Sequence, residues 1–335
     1  MVTSSRRQRR SKAARAFGSV IALLAFALAA VLTVQPALAA MVTPPARAVA
    51  NQAELGTPEN PLKMAFVPSS DSQKVLASGQ PLADLLSQET GLSFTVSVPT
   101  SYAAVIEAMG ADNVDIGWLA PFAYVLAHDK FNSTVILSSV RSGSKTYTGQ
   151  IIAHVDSGIE TVADLPGKRF AFVDPSSASG FLYPNALLAS NGIDYKTAFA
   201  ETVFAGGHDK VVIAVYNKQV DAGATFGDSV EGVQTDARTL ALSTLPDVME
   251  KVKIIGKTDP IPNDTVSVRA GLPYELVLQV QDGLVAISKT DEGKKLLNDL
   301  YRINGLAAAS DSEYDSVRKA ASVLGLDLEQ ELAPR

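Results

Sequence analysis

The chain has 335 residues, no cysteine and only three histidines, so disulfides, thiolate metal sites and thiol nucleophiles are excluded. Its 29 basic side chains stand against 35 acidic ones, and the first 40 residues hold six of the basic groups and no acidic group, so the remainder carries 23 against 35, a balance of −12. A surface with that balance repels nucleic acid and anionic lipid, and neither is expected as a partner. His128, His154 and His208 are too scattered for a metal reading on spacing, and no nucleotide fingerprint is present, so no metal and no cofactor is expected.

In chain order, Arg6, Arg7, Arg9, Arg10, Lys12 and Arg15 precede an uncharged apolar stretch from 17 to 34 and then Pro36-Ala37-Leu38-Ala39-Ala40. This is the pattern of a secretory signal cut after Ala39 or Ala40; the alternative is an uncleaved anchor, because the stretch approaches the roughly 20 residues that span a bilayer. Either way the chain is expected outside the cytoplasm, periplasmic or at the cell surface. Residues 41–60, rich in Ala, Pro and Thr without a period, are predicted to be a linker.

Strands are predicted near 63–67, 94–98, 115–118, 134–140 and 150–154, and in a second series near 169–173, 202–204, 222–225 and 252–256, with helices between them. Such alternation specifies an α/β fold with mostly parallel sheets. From Pro273 the pattern turns helical: Leu276, Val277, Val280, Leu284 and Ile287 fall on one face, and further helices are predicted around 294–301 and 312–324. These helices have no strand series of their own, and residues 265–268 offer a strand by which the chain returns to its first sheet. The predicted division is a signal peptide at 1–40, a linker at 41–60, lobe 1 at 61–149 and 264–335, and lobe 2 at 150–263. Hinges fall near Gly149 and at 260–263, with a ligand cleft between the lobes.

The most informative segment is Val173-Asp174-Pro175-Ser176-Ser177-Ala178-Ser179-Gly180. It places three hydroxyls and a glycine between a predicted strand and a helix predicted at 180–191, where unpaired N–H groups and the positive end of the helix dipole would face an oxyanion. The competing reading is a serine that only caps the helix. Ser69 and Ser70, between the first strand and a helix starting near Ser72, form a second candidate anion-facing turn.

The stretches Pro81-Leu82-Ala83-Asp84-Leu85-Leu86, Tyr102-Ala103-Ala104-Val105-Ile106-Glu107-Ala108, Asp164-Leu165-Pro166-Gly167-Lys168-Arg169, the 174–180 segment, Gly207-His208-Asp209, Ala214-Val215 and Val220-Asp221-Ala222 together carry a family resemblance. From about residue 61 onward the chain resembles the periplasmic substrate-binding components of phosphonate, phosphite and phosphate ABC transporters. The resemblance implies a type II periplasmic-binding fold of two α/β lobes that close on a tetrahedral oxyanion, acting as a monomer that docks on a membrane permease with its ATPase. It implies hydroxyl and amide donors at Ser176, Ser177 and Ser179, an imidazole donor at His208, an acidic group at Asp228 that accepts a proton from the ligand or pairs with an amine, and a ligand-facing Tyr102. Trp118 and, with less support, Tyr147 would cover an apolar substituent. Capping or loop hydrogen bonding stays open for His208 and Asp228, as does core packing for Trp118.

Two other readings use the same residues. Ser177, His208 and Asp228 are the residue types of a hydrolase triad, although Pro175-Ser176-Ser177-Ala178-Ser179 lacks the Gly-x-Ser-x-Gly elbow, and the chain is expected not to be an enzyme. A sensor module that presents its oxyanion to a membrane kinase would use the same fold.

Overall fold

A computed structural model describes residues 54–326 apart from 229, 231 and 233. The predicted signal peptide and linker residues 41–53 lie outside the described residues. Residues 54–60, also predicted as linker, form a turn held to the domain: Gly56 N–H donates to the Asn60 carbonyl at 2.8 Å, and Ser93 N–H donates to the Gly56 carbonyl at 2.7 Å. No helix among the described residues is long and apolar enough to cross a membrane.

The chain first builds β1 (Leu62–Phe66), α1 (Ser72–Thr90), β2 (Phe94–Ser97), α2 (Tyr102–Gly110), β3 (Ile116–Leu119), α3 (Pro121–Phe131) and β4 (Thr134–Val140). It then leaves to form β5 (Thr146–His154), β6 (Arg169–Phe172), α4 (Tyr183–Ser190), β7 (Glu201–Phe204), α5 (His208–Tyr216), β8 (Ala222–Phe226), α6 (Val248–Lys251) and β9 (Val252–Pro262). It returns as β10 (Thr265–Val268), followed by α7 (Tyr274–Ile287), α8 (Asp291–Tyr301), β11 (Gly305–Ala308) and α9 (Asp315–Val323). Two sheets result, in the orders β11-β4-β10-β3-β1-β2 and β7-β6-β8-β5-β9. β1 runs parallel to β2 and β3, and β6 runs parallel to β7 and β8; the strands at the crossings, β5, β9 and β10, pair antiparallel.

Local chemistry sets the helix ends. The Asp71 carboxylate accepts from the N–H groups of Gln73 and Lys74 at 2.9 and 3.0 Å and starts α1. Gly91, at φ 74°, ends it in the left-handed conformation that glycine adopts without penalty. Val75, Leu82 and Leu86 on its buried face pack into a core with Phe66 and Trp118, whose rings stack 5.5 Å apart. β11 is an addition to the predicted elements: it pairs antiparallel with β4 at the sheet edge. Its sequence, Gly305-Leu306-Ala307-Ala308, has neither β-branched residues nor alternation, so no periodicity announced it.

The two crossings are bound to each other. Asn263, fully buried, receives its place from both: its N–H donates to the Lys145 carbonyl and its Nδ2 donates to the carbonyls of Ser139 and Ser144, all at 2.9 Å. Ser139 N–H donates to the Asp264 carbonyl at 2.8 Å, so the strands leaving and re-entering the first sheet form one hydrogen-bonded ribbon.

In the second lobe Phe172 is the hub of an aromatic cluster, with ring centroids 4.8 Å from Phe170, 5.3 Å from Phe181 and 5.9 Å from Phe204. It is fully buried and immediately precedes the serine-rich loop, which therefore rests on a rigid base. Phe172→Ala is expected to lower unfolding stability by about 3 to 5 kcal/mol in a denaturant titration, the range for removing a buried aromatic ring. A loss below about 1 kcal/mol would show that the cluster does not carry the lobe.

Candidate functional site

A cavity of about 440 Å³ opens between the two sheets. The serine-rich loop enters it from the second lobe. β6 ends at Phe172, the Asp174 carboxylate accepts from Ser176 N–H at 2.8 Å, and Ser177 caps the following turn by accepting from Gly180 N–H at 3.0 Å. That turn is a π-helical one over Ala178–Leu182, and α4 follows it, so the helix predicted at 180–191 begins earlier and with a wider turn. Pro184 explains the widening, because it has no N–H to give the Gly180 carbonyl, which accepts from Val173 N–H at 3.2 Å instead. A side chain at Gly180 would put its Cβ 2.4 Å from Val173 Cγ2 and 2.9 Å from Ser177 Oγ, so only glycine lets the loop fold onto its strand.

Of the predicted site residues, Ser69, Ser70, Tyr102, Trp118, Tyr147, Ser177, Ser179 and His208 line this cavity. Capping and cavity-facing are not alternatives for Ser177: its oxygen accepts from Gly180 N–H, which leaves its O–H to donate elsewhere. Ser176 and Asp228 are placed differently. Ser176 is buried off the cavity wall, with no hydrogen-bond partner for Oγ among the described residues. Asp228 turns its carboxylate to Thr235, accepting from N–H at 2.6 Å and from Oγ1 at 3.3 Å, so it closes a loop. That loop brings Gly227 and Thr235 to the wall in its stead.

His208 opens α5 and is 5 % exposed. Its Nδ1 lies 2.8 Å from Thr225 Oγ1 and accepts from Phe226 N–H at 3.3 Å. An Nδ1 that accepts leaves the proton on Nε2, so the ring is a neutral donor at its other nitrogen. Burial, and after it the positive charge of Arg141, lowers its pKa from 6.5 to about 3. The donor is thus an imidazole, not an imidazolium, at any physiological pH. With Nδ1 held by Thr225 and Asp228 held by Thr235, Ser177, His208 and Asp228 form no assembled hydrolase triad.

The wall tyrosines stay protonated as well, and Tyr301 spends its hydrogen on the Val67 carbonyl at 2.7 Å. Burial first, and then the negative charge of Asp174 for Tyr102 and of Asp264 for Tyr147 and Tyr301, pushes their hydroxyls well above the ordinary value, so all three keep their protons. Trp118 lines the cavity and stacks on Phe66, and its Nε1–H has no partner among the described residues.

The lobes touch across the cleft. His208 N–H donates to the Ser69 carbonyl at 2.9 Å, Tyr102 N–H to the Asp174 carboxylate at 3.4 Å, and Arg302, at the end of α8, to the Thr235 carbonyl at 3.1 Å. The N-termini of α1 and α5 consequently face each other at this contact, and both point their positive dipole ends toward the cavity.

Several wall residues escaped sequence reasoning, among them Lys74, Arg141, Asp264, Asp299, Tyr301 and Arg302. Arg141 Nη2 donates to Asp264 Oδ2 at 2.5 Å, and its Nε donates to the Tyr301 carbonyl at 3.0 Å. Asp264 follows directly on the predicted hinge at 260–263, and a hinge borders the cleft it closes; that position was the available signal. Nothing in the sequence around Arg141 distinguishes it. Among the described residues no group of three or more His, Asp or Glu side chains could hold a metal ion.

Two lobes, interleaved crossings and a donor-lined cleft between them define a substrate-binding protein of the type II periplasmic fold. The chain belongs to the family described as "ABC transporter, phosphonate, periplasmic substrate-binding protein", whose model matches residues 64–314. The phosphate-import protein PhnD of Mycolicibacterium smegmatis is 31 % identical over 289 residues, covering 81 % of this chain and 87 % of the relative. The phosphonates-binding periplasmic protein of Escherichia coli is 29 % identical over 248 residues, covering 72 % and 70 %. A crystal structure of a binding protein component of an ABC phosphonate transporter from Pseudomonas aeruginosa superposes with a TM-score of 0.71 at 27 % identity, covering 79 % of this chain and 86 % of that one. The chain is therefore an exported binding component of an importer with a membrane permease and ATPase, and not an enzyme.

Neutral burial of His208 has a pH consequence. The unfolded side chain takes up a proton near 6.5 and the folded one only near 3, so the unfolded state binds more protons between those values. The contribution of neutral His208 to stability in the absence of ligand is complete above pH 6.5 and is lost as the pH drops toward 3. Denaturant titrations from pH 7 to pH 4 should show a steeper loss for the natural protein than for His208→Gln, and parallel curves would mean that His208 charges freely in the fold.

Proposed function

We propose that this protein captures a tetrahedral phosphorus oxyanion, phosphate, phosphite or a phosphonate, between its lobes and delivers it as a monomer to a membrane permease. The convergence of Ser177, Ser179 and Nε2–H of His208 on one cavity, beside the N-termini of α1 and α5, carries this reading. Each of these groups donates without being able to lose its proton near neutral pH, and together they suit an acceptor with several oxygens. The names of the relatives, phosphate import in one and phosphonate binding in the other, share that chemical group. A cavity of about 440 Å³ lies within the usual size of small-molecule sites and leaves room for a substituent on phosphorus.

Lobe 1 in this reading comprises 61–149 and 264–335 and lobe 2 comprises 150–263, joined by the ribbon at Asn263. Opening at that ribbon breaks the His208 to Ser69 contact and admits the ligand. Residues 1–40 direct export, and whether they remain as an anchor is decided by cleavage after Ala39 or Ala40. Terminal sequencing of the protein recovered from its source cells tests this, with Ala40 or Met41 expected as the first residue.

Ser177→Ala should weaken binding of methylphosphonate or phosphate by about 1.5 to 3 kcal/mol in calorimetry, the worth of a hydrogen bond to a charged group, with little change in the unliganded melting temperature. An unchanged dissociation constant would remove the serine cradle from the account.

A further inference from the structure

The cavity wall contains two carboxylates, Asp264 and Asp299, and the buried one, Asp264, is not available as a counter-charge. Asp264 Oδ2 accepts from Arg141 Nη2 at 2.5 Å, with both side chains largely buried at 22 % and 15 % exposure. Asp299 pairs with Lys295 at 2.5 Å, but that pair is solvent-exposed, at 42 % and 73 %, and lies on the outer rim rather than in the buried wall. Asp228, the acidic group expected to meet a ligand amine, lies off the wall and is held by Thr235. Against the two paired carboxylates the wall carries Lys74, Arg141 and Arg302, and His208 is neutral. Arg302 is bonded to neutral oxygens, those of Thr235 and Thr239, so its charge is not cancelled there.

Arg141 is fixed in this position from several sides. Its Nε donates to the Tyr301 carbonyl, its Nη1 to Asn263 Oδ1 at 3.2 Å, and its guanidinium lies 5.7 Å from the centre of the Tyr147 ring. It cannot swing away from Asp264 without breaking these contacts as well. A ligand ammonium reaching Asp264 would have to displace a buried guanidinium or sit beside it, and either outcome is unfavourable in a cleft shielded from water.

We propose that Arg141 is the specificity-determining residue of this cleft: by neutralising Asp264 it turns the site against phosphonates that carry a cationic amine and toward phosphorus oxyanions whose substituent is uncharged. The inference rests on the oxyanion reading above and adds to it the class of substituent that the site accepts. The hydrogen bonds of Arg141 to Asn263 and Tyr301 also give it a part in the hinge, so a test must separate specificity from folding.

The test is calorimetric titration of the purified protein at pH 7 with methylphosphonate and with 2-aminoethylphosphonate, which share the oxyanion and differ in the substituent. The natural protein should bind methylphosphonate tighter by about tenfold or more, the scale of one charged hydrogen bond. Arg141→Met, which keeps the aliphatic stem and frees the Asp264 carboxylate, should move that ratio toward the amine by about tenfold or more. Arg141→Lys, which keeps the charge, should retain the natural order. Should Arg141→Met not fold, the natural protein and Arg141→Lys still decide. Preference of the natural protein for the amine, equal binding of the two ligands, or an unchanged ratio in a folded Arg141→Met would each overturn the inference while leaving the oxyanion reading intact. Binding of neither ligand by the natural protein would overturn the oxyanion reading, and this inference with it.

Discussion

An anion withdrawn from water must be matched by charge or by donors, and in the proposed reading this cleft matches it mostly with donors that stay neutral. The acidic balance of the chain favours that arrangement, because its net charge supplies no broad basic field to draw an anion in. Ser177, Ser179 and His208 come from the starts of two helices in one lobe, and Ser69 and Ser70 from the start of a helix in the other. Helix starts serve here because their dipoles contribute positive potential. The fold can then be seen as the means of bringing these helix starts together: parallel strands deliver them to the same edge of each sheet, and the two crossings set the sheets facing one another.

Burial does two things to the polar groups of the cleft. It drives His208 toward its neutral form and fixes Tyr102, Tyr147 and Tyr301 as protonated hydroxyls, so the donor set does not change across the ordinary pH range. It also makes an unpaired charge costly, and the buried wall carboxylate of Asp264 is accordingly matched by Arg141. Arg141 has a double position in this scheme, since one side of its guanidinium faces the ligand cavity and its hydrogen bonds run to the ribbon on which the lobes turn. In the proposed reading recognition and closure share a residue, which is a physical route for coupling one to the other.

Much of this was legible in the sequence because the parts concerned are local. Alternating apolar runs and helical periods announced every strand of both sheets except β11, and the strand at 265–268 announced the return of the chain. The Ser177-Ala178-Ser179-Gly180 turn and His208 at a helix start could be read as an anion site because serine, glycine and the helix N-terminus act through neighbours in sequence. Asp228 shows where that reasoning ends: its partner Thr235 lies on a loop with no period, and the side chain turned to the loop. Arg141 and Asp264 are 123 positions apart and meet only through the crossings, so their pairing is a property of topology. The early π-helical start of the segment at 178–182 needed both the missing N–H of Pro184 and the strand hydrogen bond to Gly180, of which only the first is written in the chain.

The central claim is that neutral donors of the second lobe hold the oxyanion, and a crystal structure of the protein grown with methylphosphonate tests it most directly. The account predicts phosphonate oxygens within hydrogen-bond distance of Ser177, Ser179 and Nε2 of His208, with the methyl group directed toward the aromatic wall. A phosphonate bound instead on Arg302 or Lys74, with the serine-rich turn and His208 out of reach of its oxygens, would contradict it.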